Sequence, residues 1–273
     1  HHKPMTELFS LTAALFYLTA TVVMLRHNSG PEDSPRGRSF EALLVYFAVG
    51  AHGFSLAPLG LSTGGINLAL GTTLSLIGFV VVVLYLIARL LQPVHILGVL
   101  VFPAAALGVT IGWLFPGDAY AIQLQGTTGL AHILGAGLAY ALLSLALAQA
   151  LLLSAQDWNL KHKHSRGVLS ALPPIQTMET ILFQLVYIGF TLLSITLVSG
   201  ALSSGQMFGN AFLFNHHTLL ALLAWISLVI LISGRLFFGW RGRIAVLWTG
   251  AGFALLALGY FGTRFVLEVM LSP

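Results

Sequence analysis

The sequence predicts an all-α polytopic membrane protein, a bundle of eight transmembrane helices with both termini on the outer side. Three observations carry that prediction. Apolar residues make up 57% of the 273 positions and charged residues only 7%, whereas soluble domains carry about 25% charge. Eight long stretches contain no Asp, Glu, Lys or Arg. The cations that remain are segregated between alternate connections. Twelve Lys and Arg and eight Asp and Glu cannot solvate a water-facing surface, so soluble enzymes and nucleic-acid binders are excluded as classes. The formal charge of +4 reports topology before it reports an anionic partner.

A helix crossing about 30 Å of hydrocarbon needs about 20 apolar residues. The charge-free runs cover about 8–25, 42–59, 66–88, 94–115, 127–153, 180–202, 218–234 and 244–263. They are continuously apolar and rich in Leu and Ala, not alternating with the period of two that a β-barrel requires. Residues 5–273 are read as one eight-span transmembrane domain. His1–Pro4, preceding Met5, read as the remnant of an expression tag. Span one is too long for a signal-peptide core and passes through Ser29-Gly30-Pro31 into a basic connection.

Arg26, Arg36 and Arg38 follow span one and Arg89 follows span three. Lys161, Lys163 and Arg166 follow span five, and Arg235, Arg241 and Arg243 follow span seven. All ten fall on one side, and beyond Lys3 the other side holds only Arg264. By the positive-inside rule the basic side is cytoplasmic. The longest connection, Ala155 to Met178, is expected to lay its first half along the inner surface, where Lys161 and Lys163 would meet anionic lipid. Membrane lipids are thus the first expected partners.

There is no cysteine, which excludes disulfides, thiolate metal sites and covalent haem attachment through this chain. Gly108 and Gly112 form a small-xxx-small pair that suits close helix packing, as do Gly135 with Gly137 and Gly250 with Gly252. No nucleophile–base pairing, phosphate loop, HExxH motif or paired intramembrane carboxylate is present, which disfavours hydrolases and proton-coupled transporters.

Ionisable residues inside a span are functional candidates by default. His52 falls in span two just beyond the midplane, His132 in span five about a turn below the outer surface, and His216 and His217 at the outer start of span seven. These positions converge in depth from three helices. Neutral imidazole is the common nitrogen ligand of haem iron, and helical bundles build haem sites from facing helices. Equally, each histidine could serve an interhelical hydrogen bond. His95, at the inner start of span four, reads as interfacial, and His27, His162 and His164 as solvated. Arg264 and Glu268 lie four apart on span eight. Arg264 could hold an anionic group such as a haem propionate, or snorkel to headgroups. Glu179, at the start of span six, suits a helix N-terminus.

Several stretches of the second half resemble, in order, those of the CcsA/HemX-type cytochrome c assembly family of haem-handling inner-membrane proteins. They are Leu130-Ala-His-Ile-Leu-Gly-Ala-Gly-Leu-Ala-Tyr140, Leu172-Pro-Pro-Ile-Gln-Thr-Met-Glu179 and Ile188-Gly-Phe-Thr-Leu-Leu-Ser-Ile-Thr-Leu-Val-Ser-Gly200, followed by Gly239-Trp-Arg-Gly-Arg243 and Gly259-Tyr-Phe-Gly262. The resemblance covers about 140 residues. It implies a multi-pass protein of the bacterial inner membrane that binds haem b, with His132 at the position of an outer-face ligand. Haem-handling or other membrane proteins are the implied partners.

The departures bear on function. Assembly members carry a tryptophan-rich WGxxWxWD signature after the sixth span. Here Ser203 to His217 contains no tryptophan. The family's later histidine of span seven aligns near Ser233, and no histidine follows span eight. A complete haem-delivery synthase is therefore not expected, and His216 or His217 could supply a replacement ligand. Three readings follow: a haem b-binding protein that stores, shuttles or senses haem near the outer leaflet; a membrane haem oxidoreductase using quinol; and a scaffold without haem that regulates a membrane partner. In the first, His132 is one iron ligand and His217 the other, with His52 and His216 as alternatives.

Overall fold

The computed structural model describes residues 3–29, 35–60, 66–117, 121–122, 126–162, 171–208 and 216–270. The helices are α1 (Lys3–Ser29), α2 (Pro35–Gly60), α3 (Leu70–Leu91), α4 (Gly98–Leu114), α5 (Gly126–Lys161), α6 (Ile175–Phe208), α7 (His216–Phe238) and α8 (Gly242–Ala257). Among the described residues, eight helices are long and apolar enough to span a membrane. A 3-10 turn, His95–Leu97, leads into α4. β1 (Ile66–Asn67) pairs antiparallel with β2 (Ala121–Ile122) over two residues.

Most spans overrun the charge-free runs at their ends, whereas α3 and α4 start later than the runs they belong to. Span three, expected from residue 66, starts as a helix at Leu70, because Ile66 and Asn67 belong to β1. Arg36 and Arg38 lie within α2 and not in a loop. α5 continues unbroken to Lys161, so 155–161 extend the span and are not a separate surface segment. No Gly or Pro interrupts those residues, and Asp157 accepts a hydrogen bond from Lys161 at 2.6 Å one turn on. Helix ends tolerate charges because long side chains reach water or pair. His164 lies outside the described residues.

The chain divides into two compact units, 1–123 with 155–175 and 124–154 with 176–273. In the first, α1 packs on α2 and α4, and α3 packs on α4 and α2. Phe9 stacks on Phe54 and Phe16 on Phe47, so rising numbers on α1 meet falling numbers on α2. Burial gives no hydrophobic driving force between helices in lipid, so close packing and interhelical hydrogen bonds hold them. Gly108 and Gly112 do this on α4. A Cβ on Gly108 would stand 3.0 Å from the Leu74 carbonyl oxygen, and one on Gly112 would stand 2.6 Å from Ser75 Cβ.

The second unit has its own antiparallel seam between α5 and α6. A Cβ on Gly189 would stand 2.8 Å from Leu143, and one on Gly135 would stand 3.2 Å from Thr196 Oγ1. Trp225 Nε1 of α7 donates to Ser194 Oγ of α6 at 2.8 Å and stacks on Phe190. Tyr140 of α5 donates to the Leu256 carbonyl of α8 at 2.6 Å. Gly252 meets Leu228 of α7, whereas Gly137 and Gly250 have no atom within 4 Å of a virtual Cβ. Only one glycine of each of those two pairs packs as expected.

Candidate functional site

In the first unit His52 is fully buried. Tyr17 Oη lies 3.3 Å from its Nδ1 and Ser75 Oγ 3.0 Å from its Nε2. Tyr17 and Phe79 meet the ring edge-on. Both nitrogens are therefore engaged by α1 and α3. At the far end of α2 the buried Glu41 carboxylate accepts from Arg89 Nη1 at 2.8 Å and from His95 Nε2 at 3.0 Å. His95 is thus part of an ion cluster and not merely interfacial. Tyr85 secures it by donating to the His95 carbonyl at 2.8 Å. Sequence reading missed this cluster, although a carboxylate at the edge of a span was the signal for it.

The quoted motifs of the second unit gather at its two ends. At one end Glu179 Oε1 accepts from the Gly242 backbone N–H at 2.7 Å. Glu179 is the fifth residue of α6, so its carboxylate serves the N-terminus of α8 and not that of its own helix. Gly239 and Gly242 both adopt positive φ, 66° and 52°. This lets α7 stop and α8 start within a short turn. Arg235 Nη1 donates to the Trp240 carbonyl at 3.1 Å and its guanidinium covers the Phe183 ring. Glu179 and the Gly239–Arg243 stretch thus form one structural junction.

The other end carries the histidines. His132, on the first turns of α5, lies 3.1 Å through Nδ1 from Ser199 Oγ of α6. Its ring passes over Gly200, where a Cβ would stand 2.9 Å from Cε1. His217 lies on the first turn of α7. Its ring meets Tyr260 edge-on, 6.0 Å between centroids, and its Nδ1 lies beside Gly259. His216 is exposed beside it. Arg264 Nη1 donates to Glu268 Oε1 at 3.5 Å, with the guanidinium 5.9 Å from the Tyr260 ring.

α8 runs on through a π-helical turn, Leu258–Gly262, a short α-helical turn and a second π-helical turn, Val266–Met270. π-turns recur at functional sites because they re-aim side chains. Here they occupy the segment bearing Tyr260, Arg264 and Glu268.

The structure therefore brings His132, His217 and Arg264 to one end of the second unit, with His216 adjacent, while His52 lies in the core of the first. Among the described residues, no group of three or more His, Asp or Glu is arranged for a bare metal ion. Haem iron needs only one or two imidazoles, since the porphyrin supplies the rest. His132 suits that role, its Nδ1 engaged and its ring seated in a gap only glycine leaves open. A guanidinium beside a tyrosine ring suits a carboxylate.

The model of the family described as "Cytochrome C assembly protein" matches residues 51–271. The inner membrane protein YpjD of Escherichia coli strain K12 is 27% identical over 269 residues, covering 96% of this chain and 98% of that protein. The cytochrome c biogenesis protein CcsA of Trichormus variabilis is 25% identical over 89 residues, 33% of this chain and 25% of its own. CcsA of Prochlorococcus marinus strain MIT 9301 is 26% identical over 91 residues, 33% of this chain and 29% of its own. No solved structure matches.

Proposed function

The chain belongs to the cytochrome c assembly protein family, and from that premise we propose that it binds haem b and handles it near the outer leaflet. Its eight apolar helices and its likeness to a protein named for the inner membrane make it a multi-pass protein of the bacterial inner membrane. The positive-inside pattern of the sequence supports an outer position for the start of α5.

In this reading His132 and His217 would hold the iron, with His216 as an alternative ligand. Arg264 would hold a propionate. His52, with both nitrogens engaged, is a core residue of the first unit. The observation that supports the proposal is that His132 and His217 start two helices at the same end of the second unit, His132 held by Ser199 and His217 against Tyr260, whose ring also lies near the Arg264 guanidinium. When bound, haem would supply a redox-active iron. The absence of tryptophan from Ser203 to His217 favours storing or shuttling haem over completing a cytochrome.

The test is an absorption spectrum of the detergent-purified protein, with haem quantified as its pyridine complex, for wild type and His132→Ala. A Soret band in the wild type that is lost in the variant is expected. No haem in the wild type at any supply would contradict the proposal and leave a scaffold for a membrane partner. Quinol-driven reduction of the bound haem would indicate the oxidoreductase reading instead.

A further inference from the structure

We infer that Ser199 fixes the tautomer of His132, holding the ring proton on Nδ1 and leaving Nε2 as a bare lone pair for a ligand. The consequence for iron rests on the haem reading above. The tautomer itself does not.

The inference is a proton count. A serine hydroxyl has one proton to donate and two lone pairs that accept. Ser199 Oγ donates its proton to the Thr196 carbonyl oxygen at 3.0 Å, one turn back along α6. Its contact with His132 Nδ1 at 3.1 Å must then be one in which Oγ accepts. Nδ1 therefore carries the hydrogen. Thr196 offers no competing hydroxyl, because its Oγ1 donates to the Leu192 carbonyl at 2.8 Å.

Free histidine in water prefers the opposite tautomer, with the proton on Nε2, so the site overrides the default. Among the described residues no hydrogen bond engages His132 Nε2. A metal-bound imidazole is held the same way: the nitrogen away from the metal donates to an acceptor, which orients the ring and raises the basicity of its partner nitrogen. Gly200 completes the arrangement by letting the ring lie against α6, where Ser199 can reach Nδ1. Ser199 is accordingly a positioning residue.

The first measurement needs no haem. Nitrogen-15 NMR of histidine-labelled haem-free protein in detergent, with His132 assigned through His132→Gln, reads the tautomer directly. The expected result is a protonated Nδ1 and a bare Nε2, reversal in Ser199→Ala, and retention in Ser199→Thr. A wild-type proton on Nε2, or no change in Ser199→Ala, would overturn the inference. In the haem-loaded protein, Ser199→Ala is expected to weaken haem binding about tenfold and to raise the reduction potential, and Ser199→Thr to restore both. If the tautomer is as stated but haem never binds, the haem reading fails and the inference about Ser199 stands. Haem bound with affinity and potential unchanged in Ser199→Ala overturns the positioning role.

Discussion

The ring of His132 occupies the space that a side chain on Gly200 would need, with 2.9 Å between Cε1 and the position of a Cβ. Gly200→Ala should therefore push His132 off Ser199, at about 1–3 kcal/mol for overpacking, and reduce haem retention. Alanine is the better helix former, so any loss is steric. Gly137→Ala, on α5 with nothing within 4 Å, should leave haem content unchanged. Pyridine haemochrome per mole of protein distinguishes the two variants.

His52 gives a second prediction. Tyr17→Phe and Ser75→Ala each remove one hydrogen bond to its ring. The expected cost is about 0.6 kcal/mol each, up to about 1.7, as for polar contacts in membrane bundles. Thermal unfolding in detergent reads it. His52→Ala should lower the midpoint while leaving the Soret band in place. Loss of the band in a folded His52→Ala protein would make His52 a ligand.

Glu41 offers a third. Its carboxylate is 1% exposed and answers Arg89 and His95 together. Glu41→Ala strands two donors and should cost about 3 kcal/mol, because the remaining cation loses its buried partner. His95→Gln, which leaves Arg89 in place and keeps a donor, should cost less. Melting curves of the two variants rank them.

Much of the fold was legible because a membrane span advertises itself as an uninterrupted apolar run. The helix ends were not, since a charge-free criterion stops at Glu41, Arg89 and Asp157, which the helices include. Depth along a span was readable and placed His132 and His217 near one end. Rotation about a helix axis was not, so the bond from His132 to Ser199, 67 positions away, had no sequence signal. The same holds for Glu41 and His95, which are 54 apart. Glu179 was read correctly as a helix-terminus carboxylate but assigned to the wrong helix, because its partner Gly242 is 63 positions on.

Orientation yields a fourth prediction. The chain lacks cysteine, so single cysteines report topology without background. A thiol at Lys161 should react with an impermeant maleimide only in inverted vesicles, and one at His216 only in right-side-out vesicles. Reaction of both from the same face would overturn the assignment of the histidine end to the outer side.

The central claim is that His132 and His217 bind one haem iron. Electron paramagnetic resonance of the oxidised, haem-loaded protein tests it most directly. A low-spin bis-imidazole signal is predicted for the wild type, with conversion to high spin in His217→Ala and in His132→Ala wherever haem is retained. A wild-type signal that neither substitution alters would contradict it.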